Sequence, residues 1–392
     1  MGAVYHLGAV ISVFLAILVL IKKEKLLSDI ILGAWLIGAG INLFIYHRIN
    51  DHEEFYRILI IIYYFVILTQ VPLFYLYVHF LTTRRKKIKI KNILHFIPAA
   101  LFIIYIFFLL LTGNLIKIDL LTSNIVDQVQ WQWSVLIVYA VISIPLYIIM
   151  AFYNVRQYDK KILDTYSSLE DIELGWLKRC IGGIAFAWLV FIGLELFIRI
   201  THYIPEGESL KYAYYLFSIV LFYLGLFGIR KTNFFIENYI NINNDEAVIG
   251  DKHIVSVESP IKSRLVNFPE DMVQQYITSL NSVMEISRPF LKARLTLKDL
   301  SDETEIPVNS LSYIINENYN KNFYEFVNDY RVEEFIKCFT EADKSRFTLL
   351  AIAMECGFSS KSSFYSIFKK HTGCTPLDYF KELKKQIIEE YK

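Results

Sequence analysis

Two stretches near the end of the chain carry side chains that can hydrogen-bond to nucleobase edges and to phosphates. An asparagine amide pairs bidentately with adenine, a lysine donates to guanine, and a serine accepts either partner. The first stretch offers the set Asn309, Ser312, Tyr313 and Asn316. The second offers the set Lys361, Ser362 and Ser366, followed by Lys369, Lys370 and His371 at positions closer to phosphates. Such residue types can contact double-stranded DNA, provided that helices present them together to a groove.

The first stretch needs a pair of short helices to position it. Hydrophobic spacing predicts a helix over Leu297–Glu305, a tight turn at Ile306-Pro307-Val308, and a second helix over Asn309–Tyr319. Asn309 is the expected N-cap, because its side chain can accept a hydrogen bond from an early backbone N–H. Asn320 suits the left-handed residue that follows a helix.

The second stretch repeats the pattern. A helix is predicted over Phe347–Glu355, a turn over Cys356-Gly357-Phe358-Ser359, and a second helix over Ser360–Thr372. Gly357 can adopt a positive φ at no steric cost, and Ser359 or Ser360 can cap the second helix. After Gly373, Thr375-Pro376 starts a last helix.

A longer helix is predicted between the two pairs, over Phe323–Phe339. At 1.5 Å rise per residue it would be about 25 Å long, which holds the two pairs roughly one turn of a DNA duplex apart. Its expected buried side consists of Phe326, Val327, Tyr330, Phe335 and Phe339.

A family resemblance follows from these segments. "LAIAMECGFSSKSSFYSIFKKHTGCTPLDYF" and "LSYIINENYNKNFYEFVNDYRVEEF" resemble the AraC/XylS family, whose domain carries two helix-turn-helix units joined by a long helix. The resemblance covers Leu295–Phe380 and implies a sequence-specific DNA-binding transcription regulator, often a dimer. Asn320 stands where the family often has glycine, and Phe380 stands where many members have arginine, a difference that removes one expected phosphate contact.

Charge is the observation that opposes DNA binding. Acidic and basic residues are nearly balanced from Phe290 onward, whereas a DNA-binding domain usually shows a basic surface. The first reading helix has no lysine or arginine and contains Glu317, so only the second unit is locally basic. The alternative is a helix-turn-helix domain that binds a protein partner.

The N-terminal part of the chain has the composition of a membrane protein. The chain of 392 residues is 55% hydrophobic, and its mean hydropathy is +0.38. A spanning helix needs about 20 mostly apolar residues. Seven runs qualify, which are Ala3–Ile21, Ile30–Tyr46, Leu59–Leu81, Ile93–Thr112, Ser134–Phe152, Leu177–Ile198 and Tyr212–Ile229. The first run has no basic lead-in or cleavage site, so it is expected to remain as a span.

The loops between these runs alternate in basic charge. Lysine and arginine concentrate in the first, third and fifth loops and after the last run, as in Arg84–Lys91. Cytoplasmic loops carry this excess, so the N-terminus is expected outside and the C-terminus inside a cytoplasmic (inner) membrane. The run Arg84–Lys91 would meet anionic lipid.

The full expectation is an all-α chain, in which a seven-helix transmembrane bundle precedes a soluble domain with two helix-turn-helix units. The expected boundaries are 1–231 for the membrane module, 232–268 for a cytoplasmic linker, 269–290 for an amphipathic helix and 291–392 for the DNA-binding domain. Pro269 suits the first turn of that helix. The apolar face between Met272 and Met284 either packs on the following domain or forms a homodimer contact.

Three polar residues inside the runs are candidates for a signal or ligand site. Glu195 is the only carboxylate well inside a predicted span, and intramembrane ionisable residues usually face a cavity. His6 and Asn42 fall in the outer halves of their helices, so the three could line one outward cavity. The alternative is that Glu195 is hydrated or paired with Arg199. Gln70, near Pro72, indicates a kink rather than a ligand contact.

No residue set for catalysis is evident, so neither an enzyme nor a cofactor is expected. The sequence has no glycine-rich phosphate loop, no nucleophile elbow and no metal-spaced histidine and cysteine set. Its four cysteines are expected to be reduced. The chain is therefore predicted to be a one-component regulator that couples an unknown membrane or extracellular signal to gene expression. The alternative is a seven-helix receptor or transporter whose C-terminal domain is a protein-binding scaffold.

Overall fold

The computed structural model describes residues 2–23, 25–49, 56–83, 87–112, 125–170, 172–201, 212, 214–223, 269–341 and 348–390. Two compact units are formed, and each is described by itself. The described residues are helical and include no β-strand, which confirms the all-α prediction.

The first unit is a set of apolar helices. They are α1 (Gly2–Leu20), α2 (Leu27–Ile49), α3 (Tyr56–Thr83), the short α4 (Ile90–Ile93) continued through a 3-10 turn into α5 (Ile97–Leu111), α6 (Ile125–Leu163), α7 (Gly175–Thr201) and α8 (Tyr214–Tyr223). Helix α2 packs against both α1 and α3. Its buried residues recur every three to four positions, so one face lies inside the unit. Among them are Leu32, Trp35, Leu36, Ala39 and Leu43.

Large apolar side chains also face outward from these helices. Phe14 on α1, Leu101 on α5 and Leu189 on α7 are each about 60% exposed or slightly less. Four helical segments are long and apolar enough to cross a membrane, and two shorter apolar helices accompany them. The four are Leu27–Tyr46, Ile61–Thr83, Ile90–Phe108 and Gly175–Leu194. The expected fifth span lies inside α6, where side chains before residue 138 lie outside the described set, so seven crossings remain a prediction.

Pro72 lies inside α3. Because proline has no backbone N–H, the carbonyl of Leu68, four residues earlier, loses its helical donor. The Tyr139 hydroxyl on α6 donates to that carbonyl at 3.3 Å. The nearby Trp35 indole N–H donates to the Gln70 carbonyl at 3.0 Å. Side chains from two neighbouring helices therefore hold α3 where its own hydrogen bonding is interrupted.

The second unit contains seven helices within its described residues. They are α9 (Glu270–Ile286), α10 (Leu297–Thr304), α11 (Val308–Asn318), α12 (Phe323–Glu341), α13 (Leu349–Glu355), α14 (Lys361–Thr372) and α15 (Pro376–Glu390). The predicted pairs and the joining helix are all present, with ends displaced by one or two residues. Pro269 is the N-cap of α9 and does not lie in its first turn. The predicted linker, 232–268, lies outside the described residues.

The second unit has two apolar cores that share one helix. Phe326 and Val327 of α12 belong to the core of the first helix pair, and Phe335 belongs to the core of the second. Leu280 and Met284 of α9 are fully buried in the first core. The apolar face of α9 therefore packs on the domain that follows it, which is one of the two alternatives that the sequence left open. A homodimer contact stays a prediction.

The segment 159–173, which comprises the last turn of α6 and the residues that lead to α7, belongs to the second unit. The sequence analysis placed it inside the membrane module. The structure differs because residues of the joining helix α12 hydrogen-bond to this segment's backbone. We call this segment the α6–α7 loop.

Candidate nucleic-acid interface

The first helix-turn-helix unit is built by local capping. Thr296 and Asp299 form a capping box, in which the Thr296 hydroxyl accepts from the Asp299 N–H at 3.1 Å and the Asp299 carboxylate accepts from the Thr296 N–H at 2.8 Å. The C-cap of α10 is Glu305, which adopts a left-handed φ of 58°. The Ser301 hydroxyl donates to the carbonyl of the buried Ile306, which fixes the turn.

The second helix of this unit starts differently from the prediction. Pro307, with φ −54°, is the N-cap of α11 and no side chain caps the helix. Asn309 as N-cap is therefore wrong: the fixed φ of proline starts the helix one residue earlier, and Asn309 becomes its second residue. Its side chain is left exposed.

The other candidate side chains on α11 differ in exposure. Ser312 and Tyr313 are half-buried, and Asn316 is exposed. The Asn316 amide donates to the Ser312 carbonyl at 2.8 Å, so it lies back along its own helix. Contacting a base through Asn316 requires that amide to change partner.

The second helix-turn-helix unit has the caps that the sequence predicts. Gly357 has φ 89°, and the Ser360 hydroxyl accepts from the Ser363 N–H at 3.2 Å as the N-cap of α14. Both predictions are confirmed. Thr348 caps the preceding α13 in the same way.

The candidate DNA-contacting side chains on α14 divide into an exposed group and a group that is paired with carboxylates. Lys361, Ser362, Ser366 and Lys369 are exposed, and the Lys361 ammonium lies 5.8 Å from the centroid of the Tyr365 ring. Lys370 instead forms an ion pair with Glu325 of α12 at 2.6 Å. His371 lies 2.8 Å from the carboxylate of Asp329, also on α12. Carboxylates of the joining helix thus hold two of the three residues that were expected near phosphates.

Arg331 is the residue that the sequence analysis missed. It lies on α12 between the two cores and is only 1% exposed. Its guanidinium makes five hydrogen bonds, as many as it has N–H groups. The acceptors are the carbonyls of Phe290, Ser167 and Lys292, the Ser167 hydroxyl and the Asn328 side chain. Burial lowers the pKa of Arg331 to about 10, which leaves it charged at neutral pH.

The α6–α7 loop supplies part of this network. Ser167 is 1% exposed, and its carbonyl also accepts from the Asn328 amide at 3.1 Å. The loop backbone pairs with the strand-like stretch before α10: the Ser167 N–H donates to the Leu295 carbonyl at 3.1 Å and the Leu297 N–H to the Thr165 carbonyl at 2.9 Å. Because backbone acceptors have no residue signature, the only sequence signal was an arginine on the buried side of a helix.

The turn of the second helix-turn-helix unit contacts the same hydrogen-bond network around Arg331. A Cβ on Gly357 would overlap the Phe290 carbonyl that Arg331 also contacts. The Ser168 hydroxyl of the α6–α7 loop lies 2.8 Å from the Ser359 hydroxyl, one residue before the N-cap of α14. The loop, the joining helix and the start of the second reading helix are therefore hydrogen-bonded to one another.

Comparison with known protein families agrees with this geometry. Residues 300–382 match the model of a Helix-turn-helix domain. The match runs from α10 to α15 and includes both helix pairs and α12. It is of the AraC type, typical of DNA-binding transcription regulation. Neither the curated proteins nor the solved structures contain a significant match to this chain.

The three candidate signal residues of the first unit are not brought together by described contacts. His6 is exposed and packs edge-on against Phe44, with ring centroids 6.1 Å apart. Asn42 is buried and accepts a hydrogen bond from the Tyr214 hydroxyl. The side chain of Glu195 lies outside the described residues, although its backbone is part of α7.

Proposed function

We propose that this chain is a membrane-embedded transcription regulator, in which α11 and α14 read DNA and the membrane helices control how they do so. The DNA-binding part rests on the helix-turn-helix match and on two reading helices carried by one joining helix. The membrane part rests on four helices of spanning length and composition.

Coupling between the two parts is supported by the α6–α7 loop. The loop continues from α6 at one end and enters α7 at the other, so both of its ends are tied to helices proposed to lie in the membrane. Its middle, Ser167 and Ser168, is bonded to Arg331 and Ser359 of the DNA-binding unit. A change in the spacing of α6 and α7 would therefore act on the joining helix and on the start of α14.

Such a signal would work by favouring one of two states of the loop. A signal shifts an equilibrium only by its different affinity for the two states. With the loop docked, Arg331 is fully hydrogen-bonded, and without it the two bonds to Ser167 are lost. The docked state fixes the two reading helices in one geometry.

DNA binding is tested with the full-length protein in lipid nanodiscs, because a fragment that starts after residue 231 would lack the α6–α7 loop. Duplexes enriched from a random pool are titrated by fluorescence anisotropy at several salt concentrations. Lys369→Ala should weaken binding to all duplexes and lower the salt slope by about one unit. Asn309→Ala should relax base preference at a cost of about 1–3 kcal/mol per lost base contact. Lys23→Ala, in the first unit, is the charge-matched control.

Coupling is tested by a double-mutant cycle in the same nanodiscs. If the loop positions α14, then Ser168→Ala and Ser359→Ala should each weaken DNA binding, by about 0.5–1.5 kcal/mol. The double variant should be no weaker than either single one, because both remove the same bond. Additive effects, or an unchanged affinity in Ser168→Ala, would contradict a role for the loop.

A protein-scaffold role is the competing proposal, favoured by the charge balance and by the carboxylates that hold Lys370 and His371. A folded full-length protein that prefers no duplex from the random pool would make the scaffold role the better one. Capture of a defined cytoplasmic partner by that protein would then be the next measurement.

A further inference from the structure

We infer that the first unit contains a binding site for a small, uncharged, mainly apolar molecule whose single polar group both donates and accepts hydrogen bonds. The site is a cavity of about 250 Å³, partly open to the outside of the unit, between α2, α3, α6, α7 and α8. A role as the signal input rests on the proposed function, but the existence of the site does not.

The residues that line the cavity indicate the charge, polarity and size of the molecule that it can bind. Sixteen described residues line it, seven of them aromatic and none of them charged. A charged group buried there would lose its hydration without a counter-ion, which is strongly unfavourable. Aromatic walls favour an apolar body. A cavity of about 150 Å³ holds benzene, so this one suits roughly ten non-hydrogen atoms.

Unsatisfied polar atoms set the character of its polar group. Three residues that line the cavity have buried side-chain atoms with no hydrogen-bond partner within the described part of the chain: both amide atoms of Gln70, the amide nitrogen of Asn42 and the indole nitrogen of Trp188. Each of these atoms is itself fully buried, so it lies behind the wall of the cavity and reaches a ligand only when its side chain turns toward the cavity. A buried group without a partner is costly, so a ligand that pairs with these atoms gains what the empty site lacks. Three of the four atoms donate and one accepts, which a hydroxyl or a primary amide can match.

Other contacts restrict the side chains that carry these atoms. The Asn42 carbonyl oxygen is already used by the Tyr214 hydroxyl, which also bonds to the Tyr63 hydroxyl at 2.8 Å. The Gln70 amide lies against Gly38 of α2, where any Cβ would overlap its nitrogen. Gln70 is also two residues before Pro72, so it lies at the interruption in α3. The sequence analysis interpreted Gln70 as the marker of a kink, and the structure places its side chain at the cavity beside the interrupted hydrogen bonding of α3.

The experiment uses bromine quenching of tryptophan fluorescence, because Trp35 and Trp188 line the cavity. The full-length protein in phosphatidylcholine nanodiscs is titrated with 8-bromo-1-octanol, which has about the right size. Its matched controls are 1-bromooctane, which has no polar group, and 8-bromooctanoate, which is charged. Probe dissolved in the bilayer raises quenching in proportion to concentration, whereas a site adds a saturable component.

The expected result is a saturable component with the alcohol alone. Gln70→Leu, which keeps the volume and removes both unpaired atoms, should weaken that component about tenfold or more. Ala187→Phe, which fills the cavity, should abolish it, while Leu189→Phe on the exposed side of the same helix should leave it unchanged. Elution as a single species and an unchanged helical circular dichroism signal would show that each variant is folded.

Three results would overturn the site. Equal saturable quenching by 1-bromooctane, unaffected by Gln70→Leu, would mean that the cavity holds lipid acyl chains. Saturable quenching by the carboxylate would contradict the uncharged ligand. No saturable component with any probe would mean that no site exists.

None of these measurements uses DNA, so they cannot fail because the proposed function fails. Adding the alcohol to the DNA titration then asks whether the site is a signal input. A changed DNA affinity that Gln70→Leu abolishes would support that role. An unchanged DNA affinity at saturating probe would contradict that role and leave the site in place.

Discussion

The two helix-turn-helix units share a joining helix but are stabilised in different ways. The first helix-turn-helix unit turns through Glu305, a non-glycine residue in a left-handed conformation, and its second helix follows Pro307 without a side-chain cap. The second unit turns through Gly357, and its second helix is capped by Ser360. The second turn is packed so tightly that a side chain has no space there, whereas the first turn accommodates one.

Charge separates the units as well. The first reading helix carries no basic residue, and α14 carries Lys361, Lys369 and Lys370. Glu325 on the first half of the joining helix, however, pairs with Lys370 of the second unit. The difference in DNA attraction between the units is thus smaller in the folded protein than their sequences indicate. The charge of each helix-turn-helix unit therefore depends on the other unit, because α12 carries residues that contact both.

Arg331 lies where α12 joins the two helix-turn-helix units, and replacing it should have the largest effect on stability. Arg331→Leu leaves the carbonyls of Phe290, Lys292 and Ser167 without their charged donor. The Ser167 and Lys292 carbonyls keep the Asn328 amide and the Leu295 N–H as donors, so the cost comes mainly from the five lost bonds to a charged donor. Such bonds are worth about 1.5–3 kcal/mol each, part of which is offset because a buried charge is removed, so the second compact unit should lose about 4 kcal/mol of stability. Thermal unfolding of the full-length protein, followed by Phe- and Tyr-sensitive near-ultraviolet dichroism, measures the loss.

Arg331→Lys is the control, because it keeps the charge and up to three of the donors. It should lose less stability than Arg331→Leu. If the two variants are equally stable, the network contributes little and the two cores hold together by apolar contact alone.

Gly357→Ala should have the next largest effect. A non-glycine residue at a left-handed φ costs about 1–2 kcal/mol, and here the added Cβ also overlaps the Phe290 carbonyl. We expect a loss of about 3 kcal/mol in stability and a matching loss of DNA binding through α14. Gly373→Ala is the matched control, since Gly373 has φ 82° with nothing within 4 Å of an added Cβ. It should cost only the backbone term, and an equal cost at both positions would contradict the packing argument.

Local structure of the second unit follows from its sequence, and its long-range contacts do not. Gly357, Ser360 and Asn320 were predicted from residue type alone, because caps and left-handed positions depend on neighbours within a few residues. The error at Asn309 is also local: two cap signals lay two residues apart, and proline determined where the helix begins.

The docking of the α6–α7 loop could not be predicted in this way. Ser167 lies more than 160 positions before Arg331, and the two bonds that join them use one backbone carbonyl and one serine hydroxyl. Neither a backbone carbonyl nor a serine in a loop identifies a segment that docks on a distant helix. The cavity of the first unit has the same origin, since Asn42, Gln70 and Trp188 come from three helices and only their packing leaves their polar atoms unpaired.

Glu325→Gln tests the charge difference between the units with a smaller expected effect. Its carboxylate pairs with Lys370 and also accepts from the Asn322 side chain at 2.8 Å, as part of the N-terminal cap of α12. Glutamine keeps the capping bond and releases the lysine. DNA binding should tighten by a few fold, since an exposed ion pair is worth about 0–1 kcal/mol, and its salt slope should steepen. Lys370→Ala should cancel this gain, and a gain that survives it would show that Lys370 is not the group released.

Glu305→Gly should have the smallest effect and the opposite sign. Glu305 is exposed and holds a φ of 58°, a conformation that glycine adopts without the steric cost of a side chain. Part of that gain is offset by the larger conformational entropy of glycine in the unfolded chain, so the first helix-turn-helix unit should become more stable by about 0.5–1 kcal/mol. Asn320→Gly is the control: Asn320 has φ 51°, but asparagine tolerates this conformation better than glutamate does, so its replacement should change stability less. Chemical denaturation of the full-length protein in nanodiscs measures both. If Asn320→Gly gains as much as Glu305→Gly, the glutamate is not strained and the two turns differ only in the packing around Gly357.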